Sequence, residues 1–189
     1  MNSARLETFS DGVIAIIITI MVLELKVPHG SGWEALRPLV PILLMYLMSF
    51  VVLGMYWNNH HHMLHATDSI NGAILWANLH LLFWLSLIPF FTAWMGENHF
   101  DEIPTAGYGV VLLLAAVAYT ILERTIIAYQ GPHSRLASAV GKEVKGYVSM
   151  TLYLAAIPLA FVDARISLAL YATVSVMWFV PDRRIERRL

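Results

Sequence analysis

Long apolar runs separated by short polar clusters dominate this chain. Five stretches, Pro38–Trp57, Ser69–Gly96, Ile103–Leu122, Gly146–Val162 and Ile166–Pro181, hold no Asp, Glu, Lys or Arg. Each approaches the ~20 residues that a helix needs to cross hydrocarbon. A sixth, Arg5–Val27, is apolar in its middle and carries its polar groups at its ends. Six membrane-spanning helices are therefore predicted. The fold class is all-α and polytopic, one six-helix domain over residues 1–189. Composition agrees: 58% of the 189 residues are hydrophobic and 13% charged, about half the charge of a soluble domain.

The first helix has an internal pattern. At about 100° per residue, Ile20 and Leu23 fall within about 40° of Ile16, and Thr19 lies about 60° to one side. Gly12, Phe9 and Arg5 continue that stripe. Ser10 lies about 120° away, and Asp11 about 140° away on the other side. One face is thus an apolar row with a hydroxyl. The other carries Asp11, which needs partners, because an unpaired polar group in lipid is costly. Asp11 faces too far round to pair with Arg5. The expected partners are the inner ends of helices 2 and 3, around His60–His62 and Asn71, in a network with Arg5, Ser10 and Asp11. The stripe alone fits an ordinary helix–helix seam equally well.

Charge distribution orients the chain. Arg5, Arg124, Arg135, Lys142, Lys145, Arg183, Arg184, Arg187 and Arg188 fall on one side, and Lys26, Arg37 and Arg165 on the other. Nine against three predicts both termini in the cytoplasm, with the bilayer as the first partner. Trp33 and Trp94 then mark the outer interface, Trp57 and Trp178 the inner one. With no cysteine, disulfide and thiolate chemistry are excluded. Nothing points to nucleic acid or to a cofactor.

Helix 2 is expected to enter near Pro38 and leave the membrane at Trp57–His62. A short connection then holds His60, His61, His62, His65 and Asp68. Helix 3 is expected from about Asp68 to Trp94, kinked near Pro89, with Asn71 and Asn78 on one face. Helices 4 to 6 are expected at about 104–129, 145–162 and 165–181. Ala106–Val110 reads A-G-Y-G-V, similar to a carbonyl-lined potassium filter. The polar stretch before it cannot form a pore half-helix, so an ordinary helix start is the better reading. His61 and His65, four apart, with Asp68, could hold zinc or copper. A polar helix end is the simpler reading, and no metal site is expected.

Arg5, Phe9, Ser10 and Asp11 form R-x-x-x-F-S-D at the head of a first membrane helix. That signature resembles the bacterial relatives of the transmembrane protein 175 potassium channel. Trp57 with His61 and His62, the Asn78 region and Leu87–Phe90 (L-I-P-F) resemble the same family. The resemblance implies a homotetramer whose pore is lined by four copies of helix 1, in the cell membrane. It implies that Ile16, Ile20 and Leu23 form a hydrophobic constriction and that Thr19 supplies the hydroxyl layer favouring potassium. Arg5, Phe9, Ser10, Asp11, His61, Asn71 and Asn78 would hold helix 1 in place. The expected function is passive conduction of potassium and other monovalent cations, with weak selectivity over sodium. The rivals are a proton- or ion-coupled transporter, with His80 its one mid-membrane titratable group, and a His-dependent metal-binding membrane protein.

Overall fold

A computed structural model describes residues 3–140 and 144–179. Lys142, Pro181, Arg183, Arg184, Arg187 and Arg188, used above to set the topology and the end of helix 6, lie outside the described residues. The described residues form eight α-helices: α1 (Ser3–Leu23), α2 (Val40–His65), α3 (Gly72–Ser86), α4 (Ile88–Glu97), α5 (Glu102–Gln130), α6 (Arg135–Val140), α7 (Val144–Leu159) and α8 (Ala164–Phe179). Four segments are long and apolar enough to cross a membrane: α1, the stretch ending in α2, α3 with α4, and α5. The apolar helices α7 and α8 are shorter, at 16 residues each. The protein is an all-helical, multi-pass membrane protein.

Several boundaries differ from those expected. α1 stops at Leu23 rather than Val27, before Lys26 pairs with Glu97 at 2.5 Å. α2 begins after two single-turn 3₁₀ segments, with Pro41 in its first turn, where a missing N–H costs nothing. It runs on through all four of His60, His61, His62 and His65, so these residues occupy its last turns and not a loop. The third span is two helices. The imide of Pro89 has no N–H to donate back along the helix, and the break falls at Leu87. α3 starts at Gly72 instead of Asp68, because Asn71 is extended and caps it: its side-chain oxygen accepts from the Ile74 N–H at 3.0 Å.

α5 is the centre of the bundle, packed against α3, α4, α7 and α8. Leu112, Ala115, Ala118, Leu122 and Ile126 lie fully buried along it. Ala106–Val110 is helical here, within α5, so it is no filter strand. Its glycines serve packing. A Cβ at Gly109 would sit 2.1 Å from the Tyr171 hydroxyl, and one at Gly107 2.4 Å from the Phe91 ring. In lipid, where apolar burial drives little, such close approach is what holds helices together. Buried hydroxyls add to it: Ser49 bonds Thr92 at 2.7 Å and Tyr108 at 2.9 Å, and Tyr171 donates to the Thr105 carbonyl at 3.1 Å. α1 lies at the edge of the bundle, packed on α2, α3 and α4.

Candidate functional site

α1 turns one face inward. Leu6, Ser10, Ile14, Ile17 and Met21 are buried, spaced three and four apart as one helical stripe. That stripe is centred about 120° from Ile16, which places Thr19 directly opposite it. The outward face carries the row found in the sequence. Ile16 is 58% exposed, Ile20 42% and Leu23 78%, and Thr19 is exposed between them. The Thr19 hydroxyl donates to the Ile16 carbonyl at 2.9 Å. Its proton is thereby turned along the helix, on a side chain that is exposed on the face away from the bundle.

The base of α1 is tied down by polar contacts. Ser10, fully buried, donates to the Leu6 carbonyl and accepts from Asn78 Nδ2, each at 2.9 Å. Asn78 Oδ1 meets His60 Nε2 at 2.7 Å. Because that oxygen can only accept, His60 carries its proton on Nε2. His60 Nδ1 is buried without a partner among the described residues. At the edge of the same face, Trp57 Nε1 donates to Asp11 Oδ1 at 3.0 Å, and His61 Nδ1 lies 2.8 Å from Glu7 Oε1. Helix 1 is thus fixed to α2 through Glu7 and Asp11 and to α3 through Ser10. A lost partner at Ser10 or Asn78 would leave a buried polar group unpaired, at a cost of about 1–3 kcal/mol.

The membership differs from the expected one. Ser10, Asp11, His61 and Asn78 all take part. Arg5 and Phe9 do not: both are exposed, on the outward stripe. Asn71 does not reach α1 but serves its own helix as the cap described above. Asp11 is half-buried, whereas Ser10, His60 and Asn78 are fully buried. Reading along the sequence missed Glu7, Trp57 and the central part of His60. The helical wheel holds the signal for Glu7, which lies 180° from Ile16 and so beside Asp11. His61 and His65 stack at 6.1 Å between ring centroids, and Asp68 lies exposed beyond the helix end.

Residues 5–89 match the family model described as "Endosomal/lysosomal potassium channel TMEM175". That segment runs from α1 into α4 and holds every contact of the polar base. A protein of Chryseobacterium sp. (strain P1-3), named a potassium channel, is 51% identical, with 100% of this chain and 98% of the relative covered. The chain belongs to the TMEM175 family. A second relative, from Streptomyces collinus and also named a potassium channel, is 30% identical over 94% of this chain and 91% of its own. The fold agrees with the crystal structure of a lysosomal potassium-selective channel TMEM175 homologue from Chamaesiphon minutus. The TM-score is 0.82 at 27% identity, covering 94% of this chain and 96% of that one. TMEM175 proteins are ion channels and not enzymes.

Proposed function

We propose that this TMEM175-family chain is a passive potassium channel of the cell membrane, a homotetramer with four copies of α1 around the ion path and both termini in the cytoplasm. The observation that carries this reading is the outward row of α1. It combines large exposed aliphatic groups with one exposed hydroxyl. Family membership supports it, as do relatives named potassium channels.

Mechanism follows from the row. Ile16 to Leu23 spans about 10 Å of helix axis. Rings of four Ile16, four Ile20 and four Leu23 side chains offer no ligands, so a narrow pore there loses its water and stops ions. Opening widens those rings by rotating or tilting α1 about its anchored base. Four Thr19 oxygens then replace part of the hydration of a passing potassium ion. A hydroxyl layer is a weaker discriminator than a carbonyl cage, so the selectivity over sodium is weak. No cofactor takes part; the bound species is the permeant cation. A transporter route through His80 has less support, since that ring lies on the bundle surface and accepts from Trp84 on its own helix at 2.9 Å.

The test is ion flux through the reconstituted protein under potassium and sodium gradients, with Leu23→Ala alongside. Passive cation current with a mild potassium preference, larger in Leu23→Ala, is expected. No current from either protein in a verified reconstitution overturns the channel reading.

A further inference from the structure

The polar base of α1 contains an unbalanced charge. Glu7, Asp11 and His61 each offer one donor atom, and these atoms all lie within 4.8 Å of one another. All three side chains are half-buried. Among the described residues no lysine or arginine pairs with either carboxylate, and Arg5 points to the opposite, exposed face. Among the described residues, the side chain that pairs directly with one of them is the imidazole of His61, which carries charge only when it is protonated. With that ring neutral, two carboxylates share a partly desolvated site with no paired counter-charge among the described residues.

We propose that Glu7, Asp11 and His61 form a binding site for a first-row divalent cation of the zinc class. Two carboxylate oxygens and one imidazole nitrogen suit zinc, which takes N and O donors in a tetrahedron. In such a site the donors stand about 3.3 Å apart, so side-chain rotation alone closes the group. Trp57 supplies the outer contact such sites use: its N–H holds Asp11 Oδ1 at 3.0 Å and orients the carboxylate. A solvent water completes the tetrahedron. Magnesium, which prefers oxygen donors and keeps its own water, is disfavoured by the imidazole.

The position of the site gives it a consequence, which rests on the channel reading above. Glu7 and Asp11 belong to α1 and His61 to α2. A bound ion fastens the base of the pore helix to its neighbour and opposes the rotation that opens the pore. Zinc should therefore hold the channel shut.

Binding is tested apart from conduction, by titrating the purified full chain in detergent with zinc chloride, using calorimetry and tryptophan fluorescence. One zinc per chain is expected, with a fluorescence change that Trp57→Phe removes. Glu7→Gln and His61→Gln should each weaken binding at least about tenfold. His29→Ala, beyond the opposite end of α1, should leave it unchanged, and magnesium should not compete. Both carboxamide variants are checked by melting, and Glu7→Gln, which keeps the side-chain shape, preserves the test if His61→Gln misfolds. No zinc bound by the wild type, or binding indifferent to both variants, overturns the site. In recordings, zinc should cut the wild-type current and spare Glu7→Gln. Zinc that binds but leaves the current unaltered overturns the fastening and leaves the site. Bound zinc without current from any variant leaves the site standing and removes the channel reading.

Discussion

α1 and α5 are both long, apolar helices, and the contrast between them separates packing from function. α5 is enclosed by four helices, and its small residues and hydroxyls face partners at contact distance. α1 is held only along one side, and its other side carries exposed aliphatic groups, of which Ile16 and Ile20 edge an open groove against Pro89, Phe90 and Ala93 of α4. Apolar exposure alone does not distinguish a lipid face from a pore face. Two further features set α1 apart. Its exposed row contains a threonine in register with the aliphatic residues, and its base is locked by a buried hydrogen-bond chain that a merely lipid-facing helix would not need. A helix packed along one side only leaves its other side for a partner beyond its own subunit; α5, enclosed by four helices, does not.

Substitutions can break this comparison from either side. The largest effect is expected at Gly109→Ala in α5. The added methyl meets the Tyr171 hydroxyl at 2.1 Å, and that ring is held by its bond to Thr105. Overpacking of this kind costs about 1–3 kcal/mol, so a clear fall in melting temperature should appear in detergent. Asn78→Ala comes next. It strips partners from both Ser10 and His60 and should cost about 1–3 kcal/mol, again read by melting. Asn71→Ala removes only a local cap and should cost about 1 kcal/mol, which sharpens the distinction between the two asparagines. Thr19→Val keeps the shape of an exposed residue, so stability should hold while the potassium-over-sodium permeability ratio falls. The smallest effect is expected at Lys26→Ala. Its pair with Glu97 is solvent-exposed, and neither melting nor current should change measurably.

Much of the architecture was legible because lipid imposes a simple rule: charges cannot be scattered through a spanning helix. The uncharged runs therefore marked where the helices begin within a few residues, although α2 and α5 each continue eight residues past the ends of their runs. The two faces of α1 were legible for the same reason, since 100° per residue places Ile16, Thr19, Ile20 and Leu23 together and Ser10 well away from them. Side-chain partnership was harder to read. His60 and His61 are neighbours in sequence but point about 100° apart, and only the tertiary fold decides that His60 meets Asn78 of α3 while His61 meets Glu7 of α1. Arg5 was drawn into the network by its charge, yet its angle on the wheel already placed it with Ile16. Asn71 was read as spanning because an uncharged run was equated with a helix. An asparagine just before Gly72 was the available signal for a cap. The short helix α6 had no signal in the hydrophobic pattern.

The claim that the exposed row of α1 faces ions and not lipid can be tested directly, because the chain has no native cysteine. Thr19→Cys introduces a single thiol on that row, and Leu154→Cys places one on an exposed face of α7. Silver ion, a small monovalent cation that bonds thiolate, is applied during recording. The account predicts that silver blocks the Thr19→Cys current irreversibly and leaves Leu154→Cys and the wild type conducting. Thr19→Cys current that persists in silver would contradict it and move the ion path off helix 1.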